Sequence, residues 1–285
     1  MKLHILPAEQ GYQWLHQAKN ITLANRHLFI SNVFFYLAAC FLASILSLGA
    51  SFILIIAVGI LGVIFNMTVM LICDCTLNPV RYEPPATLFQ LWSNTLKNKR
   101  ILILALITAI ALTLIAFIMN TIAISLFPQV IEQGEQLLTL QQNNPEMEIS
   151  LSQLLSLMPY YALVIACNIL SQSIAFFFFC MTPAIIYWTN TPYGKAIFYN
   201  LMGCLKNWRA WLAWAGAVLF FFVVIPVVVI TILVNIAQGA STLSILAIFL
   251  IMVLFFVLFF LSMTMIPASY YLAYKNCFIH DEHEM

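Results

Sequence analysis

The sequence predicts an all-α membrane protein, a polytopic bundle of six transmembrane helices. Apolar residues make up 64% of the chain and charged residues only 7%, whereas soluble domains carry about 25% charged residues. Six apolar runs are long enough to cross a bilayer as helices, which takes roughly 20 residues each. These predicted spans cover residues 28–49, 51–73, 101–127, 158–188, 210–236 and 242–274.

The basic residues predict the orientation of the spans. With six crossings, all 11 Lys and Arg residues fall on one side of the membrane, in the two tails and the second and fourth loops. Basic residues are retained in the cytoplasm, so we expect both chain termini there. The loop at about 129–157 falls on the opposite side, where its glutamates are accompanied by no basic residue.

A repeated motif divides the single predicted membrane domain, residues 1–285, into three units. Residues 96–100 (LKNKR) align without a gap with residues 205–209 (LKNWR), and residues 23–27 (LANRH) form a weaker copy. Each copy follows a short stretch with one-sided apolar periodicity, which is typical of a helix at the water–lipid boundary. We therefore expect short interfacial amphipathic helices before spans 1, 3 and 5. The predicted hairpin units cover residues of about 10–75, 84–188 and 194–275.

Tryptophan and basic residues coincide on the predicted cytoplasmic side. Interfacial tryptophan usually occupies both membrane faces, but here all 6 lie near the basic one. This combination predicts contacts with anionic lipid headgroups of the cytoplasmic leaflet, although plain anchoring of the helices rests on the same physics. The predicted lipid-interface residues are Trp14, Trp92, Lys97, Lys99, Arg100, Lys206, Trp208 and Arg209.

Polar residues inside the spans are uncharged. Ionisable groups at membrane depth usually mark ion paths, and none lies in the middle of a predicted span. We expect the nearest, Asp74, to sit at the interface rather than to pair with an arginine, because the interface requires no desolvation. The amides of Asn66, Asn168 and Gln172 form a candidate intramembrane polar seam. Such a seam either lines a substrate path or, as is usual, bonds one helix to another.

Motifs for catalysis or cofactor binding are absent from the sequence. It contains no Gly-rich phosphate loop, nucleophile elbow or paired zinc motif, so no catalytic residue, metal or cofactor is predicted. None of the 7 cysteines lies in a predicted outer loop, where disulfides form. We expect no nucleic-acid partner. Three prolines inside the spans predict kinks, namely Pro183, Pro226 and Pro267.

Three short motifs carry a resemblance that covers the chain from end to end. They are residues 11–14 (GYQW), 207–210 (NWRA) and 269–275 (SYYLAYK). With these motifs the chain resembles an uncharacterised family of six-span inner-membrane proteins of proteobacteria. It is more distantly similar to the membrane domains attached to glycerophosphodiester phosphodiesterases, without their catalytic domain. The resemblance implies a six-span fold in the bacterial inner membrane and no assigned activity.

These features together predict a non-enzymatic integral inner-membrane protein with an accessory or envelope-related role and anionic lipid contacts at its cytoplasmic face. The alternative is a transporter or lipid-handling protein for a small or amphiphilic substrate that uses the polar seam. A protein partner or a homo-oligomer is compatible with both. The two functions differ in one respect, since a transporter needs a continuous polar cavity to the membrane midplane.

Overall fold

A computed structural model describes residues 2–47, 51–79, 87–132, 136, 139, 151–237 and 241–279. Within this part of the chain the fold is all-α, apart from two short strands that pair the two chain ends. The strands are β1 (Lys2–Leu3) and β2 (Phe278–Ile279). The helices are α1 (Glu9–Ala24), α2 (Arg26–Leu46), α3 (Ser51–Leu77), α4 (Leu88–Lys97), α5 (Lys99–Leu126), α6 (Leu151–Phe179), α7 (Thr182–Thr189), α8 (Tyr193–Lys206), α9 (Trp208–Leu219), α10 (Ile225–Ala237) and α11 (Ser241–Cys277).

Five helical stretches among the described residues are long and apolar enough to cross a membrane. They are Arg26–Leu46, Ile53–Leu77, Lys99–Leu126, Trp208–Ile232 and Phe249–Cys277. They correspond to the first, second, third, fifth and sixth predicted spans, with boundaries that differ by a few residues. The predicted outer loop at 129–157 falls largely outside the described residues, although α6 already begins at residue 151.

The predicted fourth span, residues 158–188, is wrong as a single helix. The helix is interrupted at Cys180 and Met181, which lie between α6 and α7. Pro183 lies at the start of α7, where its missing N–H removes no helical hydrogen bond. Asn200 of α8 provides hydrogen-bond partners for backbone groups at this interruption. Its side chain accepts a bond from Met181 N (2.7 Å) and donates one to Phe177 O (2.6 Å).

The stretch Trp208–Ile232 is not a uniform α-helix. A π-helical segment, Phe220–Val224, separates α9 from α10. Pro226 stands two residues after the end of this segment and has no N–H to donate to the preceding turn. Local π-helical adjustment is one way in which a membrane helix accommodates that loss. The kink predicted at Pro226 thus coincides with an irregular segment, whereas Pro267 lies inside the continuous helix α11.

A short helix stands before α2, α5 and α9, at each of the three positions that the sequence motif predicts. These helices are α1, α4 and α8, and each is separated from the following long helix by a single asparagine. Helix α4 begins with a capping box, in which Thr87 and Gln90 exchange backbone–side-chain bonds. The hairpin units themselves stay a prediction.

Helix α3 lies at the centre of the bundle and packs against α2, α4, α5 and α11. Helix α1 packs across the ends of α9 and α11. The chain ends close this arrangement, since β1 pairs antiparallel with β2 (Lys2 opposite Ile279, Leu3 opposite Phe278). The first and last described residues therefore lie together at one end of the bundle.

Candidate functional site at the base of the bundle

Nearly all of the buried core among the described residues lies at the end of the bundle where the chain ends meet. We call this end the base; it comprises residues 2–33, 63–79, 87–109, 180–214 and 265–279. Core side chains such as Phe29, Met70 and Tyr271 are almost fully buried there. The opposite halves of the long helices expose large apolar side chains, for example Phe41 and Phe255. The base is therefore the tightly packed part of the molecule.

Three asparagines form the joints between the short helices and the long ones. We call Asn25, Asn98 and Asn207 the joint asparagines. Asn25 Nδ2 donates to Thr76 Oγ1 (2.6 Å), which ties the first joint to the end of α3. Asn98 Oδ1 accepts from Arg100 N (3.0 Å) and so caps α5. The side chains of Asn25 and Asn207 cap no helix, because both point toward other partners.

Asn207 connects its joint to the N-terminal strand. Its Oδ1 accepts a bond from Leu6 N (2.7 Å), and its Nδ2 donates to His4 O (3.0 Å). The same Nδ2 lies 3.4 Å from Cys277 Sγ. One nearly fully buried amide thus holds together segments from both ends and the middle of the chain. Sequence analysis noted this residue only as part of the repeated motif.

Most of the basic residues predicted at the lipid interface lie exposed at the joints. Lys97 and Lys99 flank Asn98, and Lys206 and Arg209 lie beside Asn207. Trp208 is 52% exposed, and the guanidinium carbon of Arg209 lies 5.4 Å from the centre of its ring. This distance is that of a cation–π contact. The joint at Asn207 therefore presents an aromatic surface and two positive charges to the surroundings.

Arg100 differs from the other basic residues of the predicted set. Its side chain is half-buried, and its guanidinium donates to Asn190 Oδ1 (2.8 Å) and Thr191 O (3.4 Å). Asn190 has a positive φ of 54°, a left-handed conformation that asparagine tolerates better than most residues. Arg100 thus braces the turn between α7 and α8, which leaves less of its guanidinium for lipid.

Trp14 and Trp92 lie inside the protein, which corrects their prediction as lipid-facing residues. Trp14 is fully buried, and its ring centre lies 4.9 Å from that of Trp211. Trp92 is 4% exposed, and its Nε1 donates to Asn32 Oδ1 (2.7 Å). Both indoles join helices to one another at the base. The predicted interface residues that are exposed are Lys97, Lys99, Lys206, Trp208 and Arg209.

Only one residue of the predicted polar seam has a described side chain. Asn66 lies half-buried near the middle of its span, and its amide bonds to no side chain that the structure describes. The backbones of Asn168 and Gln172 belong to α6, but their side chains lie outside the described part of the molecule. Whether the three amides face one cavity therefore stays a prediction.

Asp74 is buried inside the protein, which corrects the expectation that its position at the interface requires no desolvation. Only 2% of the residue is exposed. Its carboxylate accepts hydrogen bonds from the Tyr271 hydroxyl (2.5 Å) and from Asn78 Nδ2 (2.7 Å). Hydrogen bonds to a charged group are stronger than those between neutral groups and offset part of the cost of burial. The contact fastens the end of α3 to the end of α11.

The cysteines are free thiols. Cys180 and Cys204 lie closest to each other, with their sulfurs 3.7 Å apart, which is far longer than a disulfide bond. Within the described ranges, no group of three or more His, Cys, Asp or Glu side chains is placed to hold a metal ion. Four of the thiols are small buried groups that pack within the base, namely Cys73, Cys180, Cys204 and Cys277.

No protein-family model, curated protein or solved structure matches the chain. The fold itself defines the class of protein. Over the residues that the structure describes, the chain is an all-α protein with five helices that are long and apolar enough to span a membrane. Its tightly packed base carries exposed basic residues at the helix joints.

Proposed function

We propose that this chain is a non-enzymatic integral protein of the bacterial inner membrane that crosses the bilayer six times. Both termini lie in the cytoplasm, and the base of the bundle holds anionic lipids of the cytoplasmic leaflet. Its role is accessory or envelope-related, in partnership with lipid and with a protein partner or further copies of itself. The observation that carries the proposal is the set of exposed basic residues at the helix joints.

The pairing of the chain ends supports an even number of crossings. The backbone bonds between β1 and β2 continue at His4, whose N–H donates to Cys277 O (2.9 Å). Two segments that share a ladder lie on the same side of a membrane. Five candidate spans would place them on opposite sides. A sixth crossing through α6 and α7 resolves this conflict.

The charge distribution supports a cytoplasmic base. Positively charged residues near span ends are retained on the cytoplasmic side. Lys97, Lys99, Lys206 and Arg209 are exposed beside the first residues of α5 and α9. Each such charge near an anionic leaflet contributes on the order of 1 kcal/mol of attraction. The same residues that orient the protein are therefore available to hold lipid.

The exposed Trp208 provides a direct test of the lipid contact. The protein is reconstituted in nanodiscs that contain either brominated phosphatidylglycerol or brominated phosphatidylcholine, and tryptophan fluorescence is recorded. We expect stronger quenching by the anionic lipid, and we expect most of the difference to disappear in Trp208→Phe. Trp14→Phe is the matched control, because that indole is fully buried. Equal quenching by both lipids would contradict the proposal.

A second function, transport of a small or amphiphilic substrate, is favoured by one observation. Asn66 places a half-buried amide near the middle of a candidate span, where polar groups usually find partners. Solute flux into proteoliposomes distinguishes the two functions. A transporter would lose flux in Asn66→Leu and in the double variant Asn168→Leu/Gln172→Leu. An accessory protein would show no protein-dependent flux at all.

A further inference from the structure

The three helix joints share a pattern of exposure that the motif alone does not show. Two residues before each joint asparagine stands a leucine that is 46–57% exposed: Leu23, Leu96 and Leu205. Five residues after it stands an aliphatic residue that is 45–61% exposed: Ile30, Ile103 and Leu212. Residues between these positions, such as Phe29, Ile101 and Trp211, are buried. Each joint therefore presents two apolar side chains outward while part of the turn between them packs inward.

Basic side chains lie between the two apolar positions at every joint. The exposed charges are Arg26 at the first joint, Lys97 and Lys99 at the second, and Lys206 and Arg209 at the third. No acidic residue occurs in residues 23–30, 96–103 or 205–212. Every joint thus combines an apolar surface with an uncompensated positive charge, next to the end of a candidate span.

We propose that each of the three joints is a binding site for one anionic phospholipid. The basic residues of a joint bind the headgroup phosphate, and its exposed leucine and aliphatic residue contact an acyl chain. An anionic phospholipid is the occupant that fits both halves of the pattern, since it carries a negative charge directly beside its hydrocarbon. This inference rests on the proposed function and adds the position, number and chemistry of the lipid sites.

The joints differ in a way that predicts an order of affinity. The third joint has two charges, the exposed Trp208 ring and a helix α9 that no side chain caps. An uncapped helix start favours an anion, because its first N–H groups point toward it. At the second joint Asn98 already caps α5. The first joint has a single exposed arginine, so we expect the third joint to bind most tightly and the first least.

Native mass spectrometry of the full chain, released from nanodiscs of equal phosphatidylglycerol and phosphatidylcholine, tests the proposal. We expect wild type to retain up to three phosphatidylglycerol molecules. The double variants Lys206→Gln/Arg209→Gln and Lys97→Gln/Lys99→Gln should each lose one. The control Lys195→Gln/Lys275→Gln removes the same charge away from the joints, where both lysines lie over tyrosine rings. It should retain three.

Equal losses in the control and the joint variants would overturn the proposal, because they would show a response to total charge rather than sites. The double variant Leu205→Ser/Leu212→Ser keeps every charge and should also lose one lipid; full retention would equally overturn it. This variant decides the question if the charge variants do not fold. Wild-type protein that retains both lipids equally would instead contradict the proposed function itself.

Discussion

At the scale of single residues, Gly11 determines how closely α1 approaches α9. A Cβ atom at this position would lie 1.8 Å from Ala210 O and 2.7 Å from Trp214 N. Both atoms belong to the backbone, so the clash cannot be relieved by turning a side chain. The whole packing of α1 on the base, with Trp14 beside Trp211, depends on this glycine.

We expect Gly11→Ala to destabilise the protein by about 1–3 kcal/mol, the usual cost of forcing extra atoms into a packed interface. Thermal or denaturant unfolding in detergent measures the change. Gly216→Ala is the matched control, since a Cβ there meets no atom within 4 Å. Alanine favours helix over glycine by about 0.5–1 kcal/mol, so this control should be neutral or stabilising. A Gly11→Ala variant as stable as the control would contradict the packing of α1.

Residue patterns predicted which side chains lie at the base but not which way they face. Trp14 and Trp92 were assigned to lipid because tryptophan and basic residues coincide on one side of the membrane, but this coincidence does not distinguish a lipid-facing indole from a buried one. The burial of Asp74 was unpredictable for a related reason. Its main partner, Tyr271, stands 197 residues away, and only the packing of α3 against α11 brings them together. The basic residues were easier to place, because charge restricts them to the surface.

At the scale of elements, the side chain of each joint asparagine makes a hydrogen bond at the break between two helices. Each does so with a different partner: Asn25 with Thr76, Asn98 with the first turn of α5, and Asn207 with the N-terminal segment. Of the three joint asparagines, only Asn207 also helps to fix the position of β1. The short terminal strands contain two residues each and could not persist without such support.

We expect Asn207→Ala to release the N-terminal segment from the base. Amide hydrogen exchange of residues 2–6 should accelerate, because the variant removes the acceptor of Leu6 N and the donor to His4 O. Asn98→Ala is the control: it removes the cap of α5, which costs about 1 kcal/mol, but it touches neither residue. Unchanged exchange at residues 2–6 in Asn207→Ala would show that the strand is held by other contacts.

The long apolar helices were predictable from the sequence because a run of about 20 apolar residues has one common outcome in a bilayer. The break between α6 and α7 was not. Residues 158–188 are mostly apolar, and the break depends on Asn200, which lies on a different helix and bonds to Met181 and Phe177. The sequence of the span itself contains no information about such a partner. Its one local indication of a break is Pro183. The pairing of β1 with β2 was unpredictable in the same way.

At the scale of the whole molecule, packing and exposure divide the bundle into two halves. The base is stabilised by buried aromatic and polar contacts, such as the bond from Trp214 Nε1 to Ser269 Oγ (2.9 Å). The opposite halves of the long helices have few buried side chains; within residues 215–232, for example, only Pro226 is buried. Lipid chains can cover those surfaces at no hydrophobic cost. Stability of the fold is therefore concentrated at the side that also carries the charges.

The pairing of the chain ends predicts that both termini lie on the same side of the membrane, which the number of candidate spans alone does not predict. A fluorescent protein that folds only in the cytoplasm should be active when fused to either terminus of the chain. Alkaline phosphatase, which is active only outside the cytoplasm, should be active when it is fused after Ser47, at the end of the first candidate span. A fusion after Leu77, at the end of the second, is the control and should be inactive. Termini found on opposite sides of the membrane would rule out the pairing of β1 with β2. In that case α6 and α7 would not cross the membrane.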